Sequence, residues 1–159
     1  MIRHAFYARS FAACLGVALA IVATEASAIF IVNQPWLTPA AKGRSTSAYM
    51  DLTSTEGATL VAARSEAAAS VRIRAPNERA GSKHLSLPAG KMIRLEKGGY
   101  RLALDRLTRS VALGDRILLT LTIESSDGSR QEIVVNAEAR HHSPLDDERR
   151  SHQHSNKPH

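Results

Sequence analysis

From residue 29 onward the apolar positions recur mostly at every second residue, the period of a strand that buries one face. The clearest case is residues 117–124, where Ile117, Leu119, Leu121 and Ile123 alternate with Leu118, Thr120, Thr122 and Glu124. Ser126-Asp127-Gly128 supplies a turn, and Ile133 and Val135 begin a return strand, so a hairpin is expected here. The same reading predicts strands over 29–33, 47–53, 59–63, 70–74, 92–96, 100–104 and 131–137. Gly98-Gly99 reads as a tight turn between two of them. An alanine-rich stretch over 62–69 gives the one hint of helix. Many short strands punctuated by glycine and proline predict an all-β protein, an antiparallel β-sandwich, without internal repeats.

Two flanks depart from this pattern. Residues 1–28 carry Arg3, His4 and Arg9, then an apolar run over 11–23, then Ala26-Ser27-Ala28, which reads as a signal peptide with a small-residue cleavage site. The run is short for a membrane span, so a periplasmic or secreted protein without a stable membrane anchor is expected. The single cysteine, Cys14, falls inside the apolar run and leaves with it, so no disulfide braces the domain. The segment 138–159 has almost no apolar residues, mixed charge, and His141, His142, His152, His154 and His159 among its seven-histidine chain total. It cannot bury enough surface to offset its ordering entropy and is expected to be a disordered His-rich tail. One domain over 29–137 remains between them.

Composition narrows the function classes. The formal charge of +6 favours acidic partners or anionic surfaces without naming one. Aromatic residues make up only 4 % of the chain, too few for the stacking surfaces of single-strand binders, and no recognition-helix pattern is present, so nucleic acid is not an expected partner. No Gly-x-Ser-x-Gly elbow or His-Glu-x-x-His helix occurs, and His84 is the one histidine between the two flanks, so no enzyme is expected.

The stretch 87–123 carries a resemblance. Its order is Leu87-Pro88-Ala89-Gly90, a strand, Gly98-Gly99-Tyr100, a second strand, then Leu113-Gly114-Asp115 leading into the alternating run. This order resembles the PCuAC-type periplasmic copper chaperones, and Pro35-Trp36-Leu37 and Ser47-Ala48-Tyr49-Met50-Asp51-Leu52 are similar to that family's early segments. The resemblance implies a cupredoxin-like β-sandwich, a Cu(I) cargo, and a copper acceptor or oxidase-assembly protein as partner, with the protein itself a monomer.

The resemblance also implies where the copper ligands should stand, and there the chain departs from it. In the family a His-x-Met follows the Gly-Gly pair, and here Arg101-Leu102-Ala103 stands there; Arg74 takes the place of the first His, and Lys83 or Leu85 that of the first Met. Cu(I) prefers thioether and neutral imidazole, whereas guanidinium is permanently charged, lacks an acceptor and repels a cation. The four positions therefore form a degenerate pocket, with His84 beside it as a lone imidazole. If the strands pair as in the family, Arg74 and Arg101 come together with Arg72 or Lys83 adjacent. Such a basic pocket either is an exposed face left by a decayed site or binds a carboxylate or phosphate through paired guanidinium forks. Remaining metal chemistry lies in the tail, where His141, His142, His152, His154 and His159 suit Cu(II) or another divalent ion. Two functions follow: metal binding or delivery with contacts from the tail, or a metal-free interaction module that takes an acidic partner or anion at Arg74, Lys83, His84, Arg101 and Ala103.

Overall fold

A computed structural model describes residues 28–76 and 82–146. They form nine strands: β1 (Phe30–Leu37), β2 (Thr46–Ser54), β3 (Ala58–Arg64), β4 (Ala68–Arg74), β5 (Leu85–Leu87), β6 (Met92–Leu95), β7 (Arg101–Leu107), β8 (Arg116–Ser125) and β9 (Arg130–Ala139). Hydrogen-bonded neighbours run in the order β4-β7-β2-β1-β9-β8-β3-β5, with β6 also on β2, and the sheet curls so that β3 and β4 lie side by side. All ladders are antiparallel except β1 with β9, where Trp36 faces Glu138 and Leu37 faces Ala139. The result is the all-β, sandwich-like architecture that the two-residue period predicts.

Alternation explains both the strands and the core. Leu102 and Leu104 of β7, Met50 and Leu52 of β2, and Ile117, Leu119, Leu121 and Ile123 of β8 all turn inward and pack with Leu37, Leu60 and Ile73. Their burial is the main stabilising force, since a fully buried Leu or Ile contributes about 1.5–3 kcal/mol relative to exposure. The expected hairpin of β8 and β9 is in register from Arg116 opposite Glu138 to Glu124 opposite Arg130. Its turn closes with Gly128 at φ 83°, and the Asp127 carboxylate accepts the Ser129 amide at 2.9 Å and the Ser129 hydroxyl at 2.7 Å. Gly98, at φ 84°, makes the expected tight turn before β7, where the Gly99 amide donates to Glu96 O at 3.1 Å.

Three local expectations are corrected and one strand is added. Residues 62–69 hold no helix: β3 pairs with β8 through Arg64 and β4 pairs with β7 from Ala68, leaving a short turn between them. Helix nucleation over so few residues is costly, and two ladders outweigh alanine's propensity. Strand β1 continues past Asn33 through Pro35, because a bulge lies between Asn33 and Trp36 and Gln34 takes φ 49°; a bulge is where proline's missing donor is tolerated in a strand. Strand β5 is only three residues long, too short to show a period, and is recruited by pairing Leu85 with Leu60 and Leu87 with Ala58.

The third correction concerns the boundary at 138. Strand β9 runs to Ala139, whose amide donates to Asp115 O at 2.8 Å, and the Arg140 amide then donates to Leu37 O at 2.8 Å. The alternation itself continues to this point, since Val135, Ala137 and Ala139 are all buried in the core. The Lys97 ammonium donates to His141 O at 3.3 Å, which ties the next residue down as well.

Candidate functional site

Register decides what the outer face of β4 and β7 can do. Arg74 stands directly opposite Arg101, Arg72 opposite Ala103, and Ser70 opposite Asp105. Partners in an antiparallel ladder project to the same side, so these residues share one face while Ile73, Leu102 and Leu104 point into the core. On the other side of β7, Ser47 of β2 faces Ala103. An isolated bridge between Ile73 and Ser82 brings Lys83 and His84 beside β4. Of the two candidates for the first Met position, Leu85 is buried in β5 whereas Lys83 is exposed, so Lys83 is the one that reaches the outer surface.

The electrostatics of this strip are organised by one carboxylate. Arg72 Nε donates to Asp105 Oδ2 at 2.7 Å and the Ser45 hydroxyl to Oδ1 at 3.2 Å. The hydrogen bond from Arg72, with the further positive charge of Arg74 nearby, holds the Asp105 carboxyl below the usual carboxylate range; partial burial opposes this without reversing it. Arg72 is raised by the same hydrogen bond and charge. Arg101 Nη1 reaches Gly99 O at 3.4 Å. Arg74 and Arg101 are half-buried, and His84 is exposed.

These residues do not fit Cu(I). Neither guanidinium can donate a lone pair, Ala103 has no donor, and among the described residues no three His, Cys, Asp or Glu side chains gather closely enough to hold a metal. The methionines do not rebuild the site. Met50 is a core residue at 2 % exposure. Met92, although methionine in a strand usually fills core gaps, lies on the surface at 49 %, in β6.

A second feature lies farther along the same face, since Tyr49 and Asp51 alternate with Ser47 in β2, and the sequence does not reveal it. Trp36 stacks on Tyr49 with ring centroids 4.6 Å apart, and the Lys97 ammonium sits 5.4 Å above the indole. Beside them Arg94 grips Asp51 with two prongs, Nε to Oδ1 at 2.9 Å and Nη2 to Oδ2 at 3.1 Å. Trp36, Asp51, Arg94, Glu96 and Lys97 line a cleft of about 250 Å³, with His142 also in its wall. His141 and His142 are both exposed, with ring centroids 6.4 Å apart. His152, His154 and His159 lie outside the described residues. The one sequence signal for this cleft is that Trp36 is the chain's single tryptophan; its other walls come from segments far apart in the chain.

The curled, mainly antiparallel sheet of nine strands defines a cupredoxin-like domain of the PCuAC class. The apo PCuAC domain of PmoF1 superposes with a TM-score of 0.62 at 26 % identity, over 70 % of this chain and 92 % of that one. The Cu(I) form of DR1885 from Deinococcus radiodurans gives 0.53 at 27 % identity, over 74 % and 83 %. The copper-bound PCuAC domain of PmoF2, at 19 % identity and a TM-score of 0.56, shares the fold. The family model for the lipoprotein LpqE-like proteins matches residues 30–137, and the chain belongs to that LpqE-like family. No curated protein sequence matches it.

Proposed function

We propose that this protein is an extracytoplasmic, copper-chaperone-like metal-binding or metal-delivery protein in which the former Cu(I) pocket no longer holds the ion and imidazoles of the C-terminal segment make the metal contacts. The observation that carries the reading is the direct opposition of Arg74 and Arg101 on a PCuAC-class fold. Permanent positive charge stands where the resemblance puts ligands, while His141 and His142 lie exposed and adjacent elsewhere on the domain. A signal-like N-terminal segment and the lipoprotein description of the family support location outside the cytoplasm. The cargo of such a tail is Cu(II) or another divalent ion suited to imidazole, and the partner is a copper acceptor. No catalytic chemistry is assigned to it.

The test uses Trp36, because His142 shares its cleft. Cu(II) bound at His141 and His142 quenches the emission of the only tryptophan, and the full chain with all five tail histidines changed to Ala shows no such quenching. Binding requires neutral imidazole, whose unperturbed pKa is about 6.5, so affinity falls between about pH 7.5 and about pH 5.5. Equal Cu(II) affinity in the five-histidine variant removes the tail from the reading.

A second reading rests on the same strip. Arg74 opposite Arg101, with Arg72 and Lys83 beside them, is a cationic surface that suits a carboxylate or phosphate. On this reading the domain is a metal-free module for an acidic partner. Changing both Arg74 and Arg101 to Ser then weakens sulfate or acidic-peptide binding measured calorimetrically at low salt, and an unchanged affinity excludes it.

A further inference from the structure

The outer face of β8 and β9 carries a groove of about 640 Å³ that takes no part in either site described above. Register sets its floor. Arg64 of β3 stands opposite Thr120 of β8, and Thr120 opposite Val134 of β9. Leu118 is two residues from Thr120 on the same face of β8, so it lies diagonal to Val134, about 7–8 Å away. Both are large apolar side chains left in solvent, Leu118 at 58 % exposure and Val134 at 64 %. The opposite wall is the 65–67 turn. The Ser65 hydroxyl donates to Leu118 O at 2.7 Å. The Thr108 amide donates to Ala67 O at 2.9 Å and its hydroxyl to Glu66 O at 3.0 Å. These bonds fix the wall, so the concavity is built into the fold.

Arg64, Arg109 and Arg116 stand around this apolar floor, against the single carboxylate of Glu66 among the lining residues. Each guanidinium also meets a carboxylate outside the groove: Arg64 with Glu132 at 2.9 Å, Arg109 with Asp115 at 3.2 Å and Arg116 with Glu138 at 3.7 Å. All three arginine side chains are more than half exposed. Exposed pairs of this kind hold little net energy, and a guanidinium has donors to spare for a second anion. An apolar floor inside a cationic rim is complementary to an amphiphile with an anionic head. Single apolar residues scattered over a surface are ordinary and bind nothing, but here two are adjacent within a formed concavity.

We propose that this groove receives an anionic phospholipid at a bilayer surface, with the upper part of an acyl chain against Leu118 and Val134 and the phosphate between Arg109 and Arg116. A hydrophilic acidic peptide would use the arginines and leave Leu118 and Val134 without partners, so the apolar pair favours the lipid. The proposal goes beyond the metal and acidic-partner readings and takes from the former only the extracytoplasmic location, where a membrane surface is at hand. It describes a reversible contact of the folded domain and not an anchor.

The probe is a set of phosphatidylcholine vesicles, with and without phosphatidylglycerol, sedimented with the full chain at low salt. Retention on the anionic vesicles and not on the neutral ones is expected. Arg109→Gln with Arg116→Gln is expected to weaken it about twenty-fold, since each cation near an anionic surface contributes about five-fold. Leu118→Ser with Val134→Ser leaves the net charge untouched and is expected to weaken it about ten-fold. Both residues are exposed, so the fold persists, and circular dichroism checks that it does. Two control pairs remove the same charge elsewhere: Lys91→Gln with Arg130→Gln near the other end of the sheet, and Arg74→Ser with Arg101→Ser on β4 and β7. Each is expected to weaken retention less than about three-fold, because salt screens charges far from the contact. Retention that survives the Leu118 and Val134 changes and falls equally with all three charge-removing pairs overturns the proposal, because any anionic surface would then attract the chain. Soluble polyglutamate bound through Arg109 and Arg116, with Leu118 and Val134 dispensable, assigns the groove to an acidic protein and overturns the lipid. No retention on anionic vesicles, or equal retention on neutral ones, overturns it as well.

Discussion

Placing ligand chemistry at three positions tests whether the outer face of β4 and β7 has the geometry inferred for it. The variant is Arg74→His, Arg101→His and Ala103→Met in the full chain. Residues 74 and 101 are direct cross-strand partners, which puts their Cβ atoms about 4.5–5.5 Å apart on one side of the sheet. Residue 103 lies two positions along β7 from 101 on the same face, about 6.7 Å away, and diagonally about 7–8 Å from 74. Two imidazoles and a thioether on such a triangle can converge on a single ion, and two nitrogens with one sulfur form a donor set that Cu(I) accepts. The substitutions also remove two like charges placed directly opposite one another, an arrangement that destabilises a sheet.

An ion that binds only the native state stabilises it by about 2.7 kcal/mol when its free concentration is one hundred times the dissociation constant. For a domain of this size each kcal/mol raises Tm by about 3–5 °C, so a rise of about 10 °C is expected. Anaerobic thermal unfolding with chelator-buffered Cu(I) measures it, and the unaltered chain under the same conditions sets the background from the tail. A variant with native circular dichroism and no Cu(I)-dependent rise beyond that background would refute the reasoning, because it would mean that positions 74, 101 and 103 do not converge.

Two further outcomes follow from the geometry. Leu102 has no exposed surface and sits between β4 and β2 in the core, so Leu102→Ala is expected to cost about 2–5 kcal/mol in urea unfolding; a loss under about 1 kcal/mol would show that the core collapses around it. The Asp105 carboxyl is held below its ordinary range, chiefly by the hydrogen bond from Arg72, so its contribution is present above the unfolded pKa of about 3.9 and lost as pH falls through the lower folded value. The urea midpoint of the native chain therefore falls more steeply between about pH 5 and about pH 3 than that of Asp105→Asn, and parallel curves would contradict this assignment.

The strands that the sequence reveals are those long enough to show two or three alternations, such as Ile117 to Ile123. What escapes is set by contacts that a local pattern does not contain. Strand β5 exists because Leu85 and Leu87 meet Leu60 and Ala58, and the run through Pro35 becomes strand because a bulge absorbs the missing donor. The Trp36 cleft needs Asp51, Arg94, Lys97 and His142 brought from separate segments, and no spacing along the chain announces that meeting. The end of β9 is hidden because its last inward residue, Ala139, is small and stands between the charged Glu138 and Arg140, so it adds little to the apolar pattern.

The opposed arginines illustrate why fold and site chemistry separate so cleanly in this architecture. Ile73, Leu102 and Leu104 point inward and specify the packing, while positions 74, 101 and 103 alternate with them and point outward. A change at the outward set alters charge, hydrogen-bonding capacity and metal affinity while leaving the buried area of the inward set untouched. A PCuAC-class scaffold can therefore carry arginine at positions 74 and 101 without loss of its packing. The function of such a domain must then be argued from the outer face of β4 and β7 and not from the core that gives it its family likeness.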